Sequence, residues 1–106
     1  MESKRIAVVS TDEVNVNDHF GMARAFLIYD VDDELKFVEK RDSEKLSVGD
    51  PNHPFDADKF NRVYEKIKDC SMVYVTKIGD GPARKLKELG VEPVVYKGAI
   101  SGIMGA

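Results

Sequence analysis

The chain has a single cysteine, Cys70, among its 106 residues. One thiol excludes a disulfide within the chain, and it excludes a four-cysteine zinc or iron–sulfur site built by one chain. The count suits a reducing compartment. Positive charge is not in surplus: 16 Lys and Arg stand against 19 Asp and Glu, a formal net charge of −3. Generic nucleic-acid binding draws on a surplus of cations to neutralise phosphates, so no nucleic-acid partner is expected. No apolar run approaches the ~20 residues of a membrane-spanning helix, so no membrane partner is expected either. Met1-Glu2-Ser3-Lys4-Arg5 lacks the apolar core of a signal peptide, and the expected location is the cytoplasm. Gly79 and Gly81 have neither the spacing nor the following Lys-Ser/Thr pair of a Walker loop, and a dinucleotide fingerprint is also missing.

What is present reads as one globular domain over residues 1–106. Hydrophobic residues make up 42% and charged residues 33%, a composition that can support a core. Ile6-Ala7-Val8-Val9 is short, rich in β-branched residues and bounded by polar segments, the pattern of a strand buried on both faces. A loop is expected over Ser10 to Gly21. Phe26 to Val31 reads as a second strand, and Asp32-Asp33 turns the chain into a third, Leu35 to Lys40, with one wet face. The acidic run Asp30, Asp32, Asp33 and Glu34 reads as the solvated end of that hairpin. Residues 41–54 are polar, with Gly49, Pro51 and Pro54, and read as the most mobile loop.

A helix is expected from near Phe55, because Phe60, Val63, Tyr64 and Ile67 recur at i, i+3, i+4 and i+7. Met72 to Val75 reads as a fourth strand. Pro82 suits the first turn of a second helix, Leu86 and Leu89 give it an apolar side, and Gly90 is placed to cap its C-terminus. Arg84, Lys85 and Lys87 form its wet side. Val91 to Tyr96 reads as the last strand, and no helix is expected in the Gly-rich tail from Gly98 to Ala106. Three strands in a meander, then two joined through helices by right-handed crossovers, give a mixed five-stranded sheet. Its expected order is 3-2-1-4-5, counting strands along the chain. Ligands in open α/β sheets lie where the chain reverses direction between strands, outside their carboxyl ends. The loop after strand 1, the Gly79–Pro82 turn and the Gly98–Gly102 tail should converge there.

Two of these segments could carry chemistry. In the first, His19 could be a metal ligand, a proton carrier or a solvated surface residue. Phe20 fits a core anchor or a site wall, and Gly21 could supply a backbone turn closed to other residues. In the second, Gly79, Asp80 and Gly81 precede a helix whose amides could bind an anion, or they form a plain strand-to-helix turn. Cys70 reads as a core residue. His53 reads as a loop residue that reaches the site only if its loop folds over.

The stretch Val16-Asn17-Asp18-His19-Phe20-Gly21-Met22-Ala23-Arg24-Ala25-Phe26-Leu27-Ile28-Tyr29-Asp30-Val31 resembles the His-Phe-Gly signature of the dinitrogenase iron–molybdenum cofactor biosynthesis family. Asp69-Cys70-Ser71-Met72-Val73-Tyr74, then Ile78-Gly79 and Leu86 to Val94, are similar to its NifX and NafY branch. The likeness runs from Ile6 to about Lys97. It implies an α/β fold of the ribonuclease H-like type. It also implies a non-enzymatic protein that binds or carries an iron–sulfur or iron–molybdenum cofactor precursor during nitrogenase-type cluster assembly, between donor and acceptor proteins. The family's cluster-linked histidine maps onto His19. Family members commonly continue past the last strand into a further helix, where this sequence has its Gly-rich tail.

Two other functions fit a fold of this kind. A ribonuclease H-type hydrolase needs carboxylates on adjacent strands to hold two metal ions, and Ile6–Val9 has none. A regulatory or interaction module without a cluster would share the fold and leave the site idle.

Overall fold

The computed structural model describes residues 4–43 and 57–103. Strand β1 spans Lys4–Val8, and Ile6, Ala7 and Val8 are buried in it. Its side chains alternate between the two faces of the sheet, as strand geometry requires. Ala7, with Val9 just beyond, joins one core cluster, and Ile6 and Val8 join the other. The sequence-based expectation of a strand apolar on both faces therefore agrees with the observed burial.

The two-residue strand β2 (Asn15–Val16) is followed by a single 3-10 turn over Phe20–Met22. Strands β3 (Ala25–Val31) and β4 (Leu35–Asp42) form a hairpin. Helix α1 spans Ala57–Glu65, β5 Met72–Val75, α2 Asp80–Glu88 and β6 Glu92–Val95. A second two-residue strand, β7 (Gly98–Ala99), leads into a 3-10 turn over Ile100–Ile103. The main sheet is mixed and five-stranded and runs β4-β3-β1-β5-β6. β1 is antiparallel to β3 and parallel to β5, with Ala7 opposite Ile28 and Val73. β6 lies parallel to β5 at the edge, the position in a sheet that tolerates Pro93.

The helices cover one face. Phe60, Val63 and Ile67 from α1 and the turn after it pack with Leu86 of α2 on Ala7, Phe26, Ile28, Val73 and Val75. Helix α2 stops at Gly90, whose φ is 90°. The Val91 N–H then donates to the Leu86 carbonyl at 2.8 Å, a left-handed helix stop with its two apolar flanks buried together. No helix among the described residues is long and apolar enough to cross a membrane.

Three segments differ from the expectation, two of them on the other face. Ser10 to Gly21 is not all loop and the tail is not all irregular, because β2 and β7 pair antiparallel, Asn15 with Ala99 and Val16 with Gly98. The Ile100 N–H donates to Val14 O at 2.9 Å. The ribbon and the following 3-10 turn place Val16 and Ile100 over Ile6, Val8 and Leu27, which no α-helix among the described residues shields. In addition, β4 runs past Lys40 to Asp42 and is exposed along most of its length, since it is an edge strand. Residues 44–54 of the expected loop, with His53, and the expected helix start at Phe55 lie outside the described residues.

Candidate functional site

His19 is held by backbone on both sides. The Thr76 N–H donates to Asp18 O at 3.0 Å, and the Phe20 N–H donates to Lys77 O at 2.9 Å. His19 itself forms a parallel bridge with Lys77. Residues 18–20 thus lie alongside the chain that leaves the carboxyl end of β5. Phe20 is 1% exposed, and its ring centroid lies 6.1 Å from that of Phe26. It is a core anchor, and it fixes the backbone next to His19 rather than offering a face to a ligand. His19 precedes the 3-10 turn, with φ −84° and ψ 150°. Its carbonyl accepts from Met22 N–H at 3.1 Å, and its own N–H donates to Asp18 Oδ1 at 2.8 Å. The imidazole makes no cap hydrogen bond and the residue is exposed. Gly21 lies within the 3-10 turn and is not among the residues with positive φ. The special backbone expected of it is not used.

The approach to His19 is stiffened by side chains. Asp12 accepts from the Val14 and Asn15 N–H groups at 2.9 Å, and from Asn15 Nδ2 and Ser10 Oγ at 3.1 Å. These donors, led by the Asn15 amide, lower its carboxyl to about 2. Thr11 and Asn17 exchange a reciprocal pair of bonds at 2.9 Å. The Ser10-Thr11-Asp12 run carried the signal for such a polar-capped loop, but the pairing of residues 18–20 with 76–77 leaves no local mark.

The second segment begins two residues after Lys77. Gly79 caps α2 with extended backbone, φ −70° and ψ 157°, and makes no side-chain cap hydrogen bond. Gly79, Asp80 and Gly81 are all exposed. A Cβ at Gly79 would meet Pro82 Cδ at 3.5 Å, an ordinary contact, so the fold does not itself demand glycine there. His19 and Gly79 therefore share the carboxyl edge of the parallel strands. The tail segment joins the opposite face through β7.

Cys70 stands at the other end. It lies two residues before β5, so the whole strand, ~13 Å at strand rise, separates it from Thr76 and Lys77. It is 4% exposed and part of the helix-side core. Burial, with Asp69 adjacent, pushes its thiol up to about 12. The neighbouring Asp69 carboxylate accepts from Arg41 at 2.7 and 3.0 Å and from Arg5 at 3.0 Å. Arg5 also grips Asp30 through Nε at 2.8 Å and Nη2 at 3.1 Å. Asp30 is thus part of a structural clamp, a correction to its reading as part of a solvated end. Among the described residues, no group of three or more His, Cys, Asp or Glu could hold a metal ion.

A family model described as dinitrogenase iron-molybdenum cofactor matches residues 2–105. The FeMo cofactor biosynthesis protein NifB of Frankia alni is 38% identical over 90 residues, 84% of this chain and 18% of that protein. Protein NifX of Azotobacter vinelandii is 33% identical over 99 residues, 90% of this chain and 58% of that one. The chain thus spans less than a fifth of the NifB relative and less than three fifths of the NifX relative. The solved structure of PH0822 matches with a TM-score of 0.69 at 25% identity, covering 96% of this chain and 87% of that one. A solved protein from Methanocaldococcus jannaschii matches with a TM-score of 0.64 at 14% identity, over 99% and 91% of the two chains, a likeness of fold alone.

Proposed function

The chain belongs to the dinitrogenase iron-molybdenum cofactor family, and from that premise we propose that it binds and carries an iron–sulfur or iron–molybdenum cofactor precursor, with His19 as its ligand. The observation that carries this reading is the state of His19: exposed, with no side-chain partner among the described residues, and fixed in place by Phe20 and by backbone bonds to residues 76–77. A preassembled cluster brings its own sulfides, so one imidazole on an exposed iron suffices where a bare metal ion would need three or four donors. The amides of Gly79, Asp80 and Gly81 lie at the same edge. They can hydrogen-bond an anionic cluster, and the helix end favours its charge.

Such a site holds cargo and does no chemistry on it. Few bonds also suit a protein that must surrender what it carries. We read the protein as a non-enzymatic member of cofactor assembly, working in the cytoplasm between a cluster donor and a cluster acceptor. The antiparallel β4-β3-β1 set continued by parallel β5 and β6 supports a ribonuclease H-like reading of the fold. A nuclease reading lacks support, since β1 reads Lys-Arg-Ile-Ala-Val and offers no carboxylate.

Anaerobic titration with a preformed iron–sulfur cofactor precursor tests the proposal. Wild-type protein should take up the cluster stoichiometrically. His19→Ala should bind it at least about tenfold more weakly, within the 10–100-fold range that disturbing a metal site's supporting partners typically costs, while keeping its fold. A folded wild-type protein that takes up no cluster would favour an interaction module instead.

A further inference from the structure

The surface cations of this chain differ in their partners: Lys36 and Lys68 each face one carboxylate. Arg5 and Arg41 are each locked between carboxylates. The side chains of Arg24 and Lys40 have no hydrogen-bond or ion-pair partner among the described residues, and both are exposed. These two uncommitted cations nevertheless line one cleft of about 440 Å³. Lys40 reaches it from β4, where it pairs with Leu27. Arg24 reaches it from the residue before β3, its carbonyl pinned by the Ser43 N–H at 2.8 Å.

Thr11 and Met22 also line the cleft, which places it directly beside the His19 segment. Thr11 Oγ1 already accepts from Asn17, which leaves its O–H free to donate inward. Asp18 is the single carboxylate on the lining, and its Oδ1 is partly engaged by the His19 N–H at 2.8 Å. The volume suits a small molecule and not a macromolecule.

We propose that this cleft is an oxyanion subsite, in which Arg24 and Lys40 bind a carboxylate or phosphate-like group with Thr11 as a hydroxyl donor. Guanidinium presents a planar fork that matches two such oxygens, and the ammonium adds a point charge. The identity of the occupant rests on the carrier reading: an oxygen-bearing anionic group on the cargo, beyond its irons, or a free anion of the same chemistry.

Inorganic phosphate is the first probe, titrated into the apo protein and followed by 1H–15N NMR. The amides of Thr11, Met22, Arg24 and Ala25 should shift saturably, and affinity should fall with added sodium chloride, as it does for charges a screening length of ~8 Å can reach. Arg24→Gln/Lys40→Gln changes only exposed side chains and should keep the fold. It should weaken phosphate about tenfold or more, as expected for lost charge-assisted bonds. His19→Ala should bind phosphate as wild type does. Equal phosphate affinity in wild type and the double variant, or no saturable shift in wild type in the millimolar range, would overturn the proposal. Cluster uptake by the double variant then separates the two sources. Weakened uptake places the anion on the cargo, and unchanged uptake with lost phosphate binding makes it a free anion. Failure of the carrier reading shows separately, as cluster uptake that His19→Ala does not weaken.

Discussion

Asp69 and Cys70 stand next to each other in a stretch that resembles the family pattern, and the structure gives Asp69 a mechanical task. Its carboxylate ties Arg41 of edge strand β4 and Arg5 of central strand β1 to the turn after α1. Arg41 also donates to Lys66 O at 2.8 Å in that turn. Asp69→Asn removes the charge and keeps the size. The side chains of Asp69 and Arg5 are 42% and 34% exposed, and that of Arg41 only 19%, so solvent screens one pair more than the other. An exposed ion pair contributes about 0.2–1 kcal/mol, and a bidentate pair within a network more, so the change should cost about 1.5 kcal/mol. For a domain of this size that is a fall in Tm of about 6–10 °C.

The pH dependence carries the sign of the effect. The two guanidinium groups, Arg41 first, hold the Asp69 carboxyl well below the usual carboxylate range. The unfolded chain therefore binds this proton at a higher pH than the folded chain does. The contribution is complete above the unfolded value near 3.8 and is lost as pH falls below it toward the lower folded value. Thermal unfolding by circular dichroism at pH 7 and at steps below pH 4 should show the gap between wild type and Asp69→Asn closing in acid. An unchanged Tm at pH 7 together with lost cluster uptake would refute a structural role and make Asp69 part of the site.

Cys70→Ser should lower stability by about 1–3 kcal/mol, the cost of an ill-paired buried hydroxyl, and leave cluster affinity within about twofold of wild type; the reverse pattern would make Cys70 the ligand. Its thiol should also resist alkylation at pH 8 until the chain is unfolded, because burial raises it. Gly102→Ala should cost about 1 kcal/mol, since a Cβ there would lie 2.6 Å from Tyr96 Oη and displace its 2.8 Å bond to Ala99 O; adding Tyr96→Phe should recover part of the loss in the same melting assay. Incubation with magnesium or manganese and an RNA–DNA hybrid should yield no cleavage, and activity that survives purification controls would contradict the reading of β1.

The main sheet was legible because its strands are apolar runs of ordinary length, and Ile6 to Val9 or Met72 to Val75 can hardly be anything else in a chain this short. Helix α2 was legible through Pro82, Leu86 and Gly90, each a local signal with a mechanism. The β2–β7 ribbon was not, since two-residue strands leave no period to read, and their pairing joins residues some 80 positions apart. For the same reason the Arg5–Asp69–Arg41 clamp was invisible: it links residues 64 and 28 apart, and Asp30 looked like any residue near a charged turn. The His-Phe-Gly element drew attention to the loop that lies alongside residues 76–77. Its three residues turn out to differ in kind: an exposed imidazole, a buried anchor, and a glycine with ordinary backbone.

The proposed contact between His19 and iron is open to direct measurement. The sequence has two histidines, His19 and His53, so protein grown with 15N-histidine in a His53→Gln background carries one labelled imidazole. Loaded anaerobically with the cofactor precursor and measured by pulsed electron paramagnetic resonance, it should show a 15N hyperfine coupling to the cluster. That coupling should vanish in His19→Ala. A cluster bound with no such coupling would contradict the account.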